Sequence, residues 1–399
     1  KMKFNVKTGL SLSVGLLTIV GVVTACVGDA GKTANASDAI YGKFPVTEKS
    51  YSGSKTNSVS YTGQIARHVL HDSLKKLAGK GNGKPNPGLK AQMLSYFKTK
   101  DKGRAIVAPK TKGPFVVSQT GVDQISKGKN LSGKTYKGTI AGMPNNMTGG
   151  ELLEFWIDKA SSANKGVDAA NGYNYPQLIS KFIMGAVFYN QVVDNYLDEK
   201  LSAETKPNDK PYKKGAAYTG KEHSWDEGFG YFGAAADYNR YSDADVKAGV
   251  NLDSNGDGKI DFKSEYNFAI AKGAAKRDIG GTGVDFTSDI FTAFLTGRTL
   301  IVNQASQADI DAQRIAAANG MEKVIAATVV HYINDTLGDL AVYGTSDYNE
   351  ANHNKHWAEM KGYAVGLQFN PFKLISDSQL RDLHDKLGQA PVYAEAGSA

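Results

Sequence analysis

Apolar residues recur at intervals of three and four along most of this chain, and the strict alternation of a half-buried strand is nearly absent. Ile65, Val69, Leu70, Leu74 and Leu77 share one helical face, and Leu89, Met93, Leu94 and Phe97 share another. The Gly- and Pro-rich stretch between them, residues 79–87, reads as a loop. The spacing predicts further helices around 151–157, over 175–203 with Pro176 in the first turn, and over 221–233, 261–276, 285–301, 307–340, 347–366 and 376–388. Several are opened by Asp, Ser or Asn residues suited to capping. Residues 101–147 are rich in Gly, Lys and Thr, and their short β-branched pieces at 106–108 and 115–117 predict a small hairpin or an ordered loop. The pattern predicts an all-α fold of antiparallel helical bundles over 60–390, as one body or as two bundles of about 60–215 and 216–390, with 391–399 as a tail.

The N-terminal stretch follows a different plan. Residues 1–7 carry Lys1, Lys3 and Lys7, residues 10–25 are apolar and interrupted only by small residues, and Cys26 follows, which predicts a secretory signal over 1–25 rather than a spanning helix. Val23-Thr24-Ala25-Cys26 resembles the lipobox of bacterial lipoproteins. That resemblance implies cleavage before Cys26, lipidation of its thiol and a lipid bilayer as partner. Val27, in place of Asp, implies sorting to the outer membrane. Residues 26–59 are rich in Gly, Ser, Thr, Ala and Lys without a sustained period and predict a flexible tether.

Composition narrows the function classes. With 399 residues, 41% hydrophobic and 22% charged, the chain can bury a real core, and its single cysteine excludes both an internal disulfide and a thiolate zinc site. The formal charge of +7 falls to +4 without residues 1–25, leaving 44 basic against 40 acidic side chains. Basic runs such as 98–102 and 127–129 lie in Gly-rich segments that read as solvated loops, so nucleic acid is not expected as a partner.

Four constellations carry candidate chemistry. His356 and Glu359 are three residues apart on one predicted helix, with His353 one further turn back, and His223 stands in the same relation to Asp226 and Glu227. If the two helices face each other, His223, Asp226, Glu227, His356 and Glu359 could share one iron, manganese or zinc ion; the alternative is a hydrogen-bonded His–carboxylate pair on each helix. Asp253, Asn255, Asp257, the Lys259 carbonyl and Asp261, with Gly258 at the sixth position, match a calcium loop of the EF-hand or dockerin type. Ser264 stands at its twelfth position, so closure would fall to Glu265. Gln64 and Arg67 open the body on one helical face, where an Arg can hold a carboxylate or another anion in fork geometry. No nucleophile elbow, phosphate loop, dinucleotide fingerprint or His-Glu-x-x-His motif is present.

The lipobox, the Gly63-Gln64-x-Ala66-Arg67 helix, the run from His223 to Gly233, the Asp-rich loop before Ser264-Glu265-Tyr266-Asn267 and the block from His356 to Gly362 together resemble an uncharacterised family of bacterial lipoproteins. That family is similar in turn to the imelysins, iron-regulated helical proteins of the cell envelope. The imelysin resemblance implies two packed helical bundles with a central cleft, with His356 and Glu359 at the Gly-x-His-x-x-Glu positions and Asn354 where the pattern has Gly. The expected function is an outer-membrane lipoprotein that binds a metal ion or metal complex, with iron foremost, and hands it to an uptake receptor. Two alternatives stand beside it. One is a zinc metallopeptidase with Glu227 as the catalytic base; the other is a calcium-stabilised, non-catalytic adhesion or scaffold protein.

Overall fold

The computed structural model describes residues 40–280 and 283–393, and the expected signal, Cys26 and the first part of the tether lie outside them. The protein is mostly helical. In chain order, α1 is Thr62–Ala78, α2 Pro87–Phe97, β1 Val116–Val117, α3 Gly149–Ser162 and α4 Tyr175–Ile183. These are followed by α5 Gly220–Phe232, α6 Asp243–Ala248, β2 Lys259–Ile260, α7 Ala269–Asp278, α8 Phe286–Val302, α9 Gln307–Ala341, α10 Glu350–Gly366 and α11 Asp377–Leu387. Reciprocal caps start several of them: Thr148 with Glu151 opens α3, Thr219 with Glu222 opens α5 and Ser376 with Gln379 opens α11. Asn86 and Asn174 cap α2 and α4, each with a Pro in the first turn.

Two expectations are corrected and one is made specific. Residues 101–147 form mostly irregular structure with a local antiparallel bridge between Ala105 and Gly121, while β1 pairs in parallel with the distant β2, Val116 opposite Lys259. The helix expected from 261 begins only at Ala269, since residues 261–268 are spent on side-chain to backbone hydrogen bonds and on burying Phe262, Tyr266 and Phe268. The stretch 40–59 is not a free tether: Tyr41, Phe44 and Ser58 are buried, and the Tyr41 ring stacks on Phe229 with centroids 3.6 Å apart. Single anchors without a period leave no trace in a hydrophobicity pattern.

After Ile183 the fourth helix widens into π-helical turns at Met184–Tyr189 and Val192–Tyr196. Here α10 crosses with its backbone in contact: a Cβ on Gly185 would stand 2.5 Å from the Gly366 Cα. α1 packs against α2, α4 and α5, while α9 packs against α7, α8 and α10. The aromatic heart is Trp225, Phe229, Phe232 and Phe294, in which the Trp225 indole donates to the Phe294 carbonyl at 2.8 Å.

Arg298 of α8 lies fully buried inside this core. Its Nε donates to Asp226 Oδ1 and its Nη1 to Glu222 Oε1, both at 2.9 Å, and Nη2 donates to Ser58 Oγ at 2.6 Å. Asp226 also accepts from the Tyr41 hydroxyl at 2.9 Å and the Ser60 backbone N–H at 3.0 Å. Burial works against both charges, pushing the Asp226 carboxyl upward, while Asp226 and Glu222 outweigh burial and hold the guanidinium charged. Arg298→Met is expected to lower the unfolding free energy by about 3–5 kcal/mol, because two buried carboxylates lose their counter-charge. Urea unfolding monitored by circular dichroism measures this, and a loss under about 1 kcal/mol would show the ion network to be dispensable.

His68 of α1 is fully buried between Phe188 and Phe268, with its Nε2 donating to the Gly230 carbonyl at 3.0 Å, and burial pushes the imidazole down to about 3. An unfolded histidine titrates near about 6.5, so between these values the unfolded chain binds the additional proton and stability falls as pH falls. The expected contribution is about 1.4 kcal/mol per pH unit below about pH 6.5. His68→Gln should remove that increment from the pH dependence of urea unfolding, and an unaltered slope would contradict a neutral buried ring.

Candidate functional site

The site begins with a close approach of two helices. A Cβ on Gly230 of α5 would stand 2.8 Å from the side-chain Cβ atoms of Gln64 and Tyr61, so only glycine lets α5 lie this near to α1. That contact brings Gln64 to Glu227, and the amide donates to Glu227 Oε1 at 2.7 Å. His223, one turn earlier on α5, has Nε2 3.7 Å from the other carboxylate oxygen, and its ring packs between Tyr212 and Tyr218 at centroid distances of 4.5 and 4.7 Å. The His223 and Glu227 side chains retain 16% and 22% exposure, so the pair meets solvent. Burial pushes the imidazole below its ordinary range, with Glu227 opposing, which leaves it neutral and able to accept at neutral pH.

Three cations lie in the electrostatic neighbourhood of this part of α1 and α5. Arg67, one turn beyond Gln64, donates from Nε to the Asn130 carbonyl at 2.9 Å and from Nη1 to the Gly63 carbonyl at 3.1 Å, which fixes the guanidinium plane. Lys129 and Lys134 act electrostatically with Arg67 and Glu227; burial, then Arg67, holds both ammonium groups below their usual range. Lys134 Nζ donates to the Tyr196 hydroxyl at 2.8 Å. The buried Tyr231 hydroxyl borders Arg67 and Glu227. Glu227 is therefore a partly exposed carboxylate, tied to Gln64 and His223, that acts electrostatically on Lys129 and Lys134.

The sequence-predicted residues divide. Gln64 and Arg67 are brought to His223 and Glu227, with Gln64 and Glu227 163 residues apart in the chain. Asp226 is not with them: it and Glu222 lie about 100° round α5 from His223 and Glu227 and meet Arg298, so Asp226 is a buried partner of that guanidinium. On α10, the expected pairing of His356 with Glu359 is not made. His356 Nδ1 lies 2.7 Å from Asp339 Oδ2 and its Nε2 lies 4.0 Å from Asp335 Oδ2, both on α9, whereas Glu359 Oε1 pairs with Lys181 Nζ of α4 at 3.2 Å. The two histidine motifs thus have separate surroundings. Among the described residues, no three of His, Cys, Asp and Glu are grouped so as to hold a metal ion.

Sequence reasoning missed Lys129, Lys134, Tyr196 and Tyr231. Tyr231 was legible, since it follows Glu227 by four residues and shares its face of α5. The lysines gave no signal, because they stand in a Gly-rich segment that reads as solvated loop, yet both are half-buried beside the site. Asp335 and Asp339 repeat at helical spacing after His331, the one clue to their convergence on His356.

The Asp-rich loop is ordered by its own side chains. Asp253 accepts from the N–H groups of Gly256, Asp257 and Gly258, Asn255 from that of Asp257, and Asp257 from that of Lys259. Glu265 folds back over it: Oε1 accepts from Ser254 and Asn255 at 2.9 and 3.1 Å, and Oε2 from Asp261 at 2.7 Å. Asp261 is also tied to Gln119, whose Nε2 donates to it at 2.8 Å.

No curated protein and no solved structure matches the chain. Residues 158–373, which carry α4 to α10, both histidine motifs and the Asp-rich loop but not Gln64 or Arg67, match one family. With more than half of its length matched, the chain belongs to the family described as Domain of unknown function (DUF4856).

Proposed function

We propose that the α1–α5 site binds a metal ion carried as a complex with a carboxylate or phosphate compound, and that the protein serves in metal acquisition or handover. The observation that supports this reading is the partly exposed His223–Glu227 pair, whose carboxylate acts electrostatically on Lys129 and Lys134, both of which also feel Arg67. Two donors with three cations in their electrostatic neighbourhood suit a bare divalent ion poorly, since its charge would be repelled. A negatively charged complex meets both needs: the metal faces His223 and Glu227, and its anionic groups meet the guanidinium and ammonium donors. The Tyr231 hydroxyl, beside Arg67, would supply one further donor to such an anion. A zinc peptidase would require about three protein ligands and an open position, one more than this pair supplies. Within this proposal belong a lipid anchor at Cys26, an outer-membrane address, an uptake receptor as partner and the imelysin-like pairing of helical bundles; iron is the metal to test first.

A second reading concerns the Asp-rich loop, which we propose as a structural calcium site. The position of Glu265 supports it, because its carboxylate spans the loop where the twelfth ligand would stand, one residue later than usual. A bound ion would hold the residues before α7 in place.

Isothermal titration with iron(III) citrate and with citrate alone tests the first reading. Iron(III) citrate should bind, Arg67→Gln should weaken binding of both compounds at least about tenfold, and Glu227→Gln should weaken the iron complex while leaving citrate unharmed or tighter. Equal binding of citrate with and without iron, indifferent to Glu227→Gln, would reduce the site to an anion site; no binding of either would overturn the reading. For the loop, calcium at about a hundredfold excess over its Kd should add about 2.7 kcal/mol to stability, seen as a raised thermal midpoint that Asp253→Asn abolishes. Identical midpoints in calcium and in EGTA would exclude the site.

A further inference from the structure

The two basic runs at residues 98–102 and 127–129, far apart in the sequence pattern, are held side by side. Backbone hydrogen bonds join the segments that carry them: the Leu131 N–H donates to the Phe97 carbonyl at 3.0 Å and the Val122 N–H to the Arg104 carbonyl at 2.9 Å. Two buried polar side chains complete the join. Arg104 donates from Nη1 to the Ser95 and Thr99 carbonyls at 2.8 and 3.1 Å and from Nη2 to the Lys129 carbonyl at 2.5 Å, while Asn130 Nδ2 donates to the Lys98 carbonyl at 2.7 Å. The lysines of one run are thereby set beside those of the other against their mutual repulsion.

The only arginine of these loops is spent on backbone carbonyls, so their outward charge is carried by lysines. Lys98 pairs with Glu154 at 2.8 Å, whereas Lys100, Lys102 and Lys127 are exposed and form no ion pair among the described residues. Gly103 and Gly128 turn the two loops at positive φ, and a Cβ on either would meet no atom within 4 Å, so both tips stand in open solvent. Charge along the chain is uneven to match. Residues 98–137 carry ten basic and two acidic side chains, a formal +8 against +7 for the whole chain, so the other 359 residues sum to −1.

What this face can recognise follows from its chemistry. Residues 98–104 and 121–131 contain no aromatic side chain on which a base could stack, and none of the large exposed apolar side chains that anchor a protein partner. Flexible ammonium groups on open loop tips suit a partner that offers dense negative charge without a fixed geometry, as the headgroup layer of an anionic bilayer does. We propose that the 98–104 and 121–131 loops form a docking face for an anionic lipid bilayer, with Lys100, Lys102 and Lys127 against its phosphate headgroups. Docking by this face requires neither an anchor at Cys26 nor a ligand at the His223–Glu227 pair.

The test is cosedimentation of the full chain with vesicles of phosphatidylcholine alone and with vesicles mixed equally with phosphatidylglycerol. The mixed vesicles should bind at least about tenfold more tightly, and high salt should erase the difference. A triple variant, Lys100→Gln with Lys102→Gln and Lys127→Gln, should bind the mixed vesicles at least about tenfold more weakly than the unaltered chain. A control triple, Lys84→Gln with Lys165→Gln and Lys323→Gln, removes the same charge from exposed lysines elsewhere and should stay within about threefold of it. The apolar residues 10–25 are common to all three proteins, so differences between them report the loops. Equal binding to the two kinds of vesicle, or an equal loss in the two triple variants, would overturn the proposal. Capture of soluble polyglutamate without binding to anionic vesicles would overturn it too, in favour of an acidic protein partner. The lipid preference of the unaltered chain needs no variant, so a substitution that fails to fold leaves the question decided.

Discussion

The burial of Arg298 is the constraint on which the rest of the structure depends. A guanidinium with no exposure cannot remain in an apolar core unless its donors are matched, and here they are matched by Glu222, Asp226 and Ser58. The consequence is geometric. α8 is fixed against α5, and the segment before α1 is drawn into the core, with Ser58 and Ser60 held at the same charges and Tyr41 stacked on Phe229. Glu222 belongs at once to the α5 cap and to the ion network, so the start of that helix and its position are set together.

The same constraint decides which side chains of α5 are open to chemistry. Glu222 and Asp226, four residues apart, are committed to Arg298; His223 and Glu227, one position on, fall on the face that meets Gln64 and Arg67. Gly230 permits the approach, since any side chain there would press on α1. One helix thus spends one carboxylate pair on stability and presents a His–carboxylate pair to solvent. At the far end of α1 a comparable contact, the crossing of α4 and α10 at Gly185 and Gly366, sets Lys181 against Glu359. The two carboxylates differ in depth: Glu227 is partly exposed and Glu359 is buried.

Much of this was legible from residue spacing. The 3.6-residue period located α1 to α3, α5 and α8 to α11 to within about five residues and the start of α4, because each helix buries one continuous face and local capping marks its ends; the helix expected to run to 203 leaves the α form after Ile183 and ends in π turns at Tyr196. The short α6, the late start of α7 and the pairing of β1 with β2 were not legible, since two to six residues are too few to establish a period. The burial of 40–59 escaped for a related reason: it rests on Tyr41, Phe44 and Ser58 singly, each meaningful only against a partner over a hundred residues away.

The sequence by itself determined the helical class, the local frames of His223, Glu227, His356 and Glu359, and the hydrogen-bonding types in the Asp-rich loop, because these follow from periodicity and from short-range chemistry. It could not decide which carboxylate each cation would meet. Asp226 and Glu227 are adjacent and chemically alike, yet helical rotation of about 100° per residue sends one to a buried arginine and the other to an open histidine. His356 and Glu359 share a face, yet Asp339 on a neighbouring helix captures the imidazole and Lys181 captures the carboxylate. Ion pairing in a core is settled by distance and burial between elements, and only the tertiary structure supplies those.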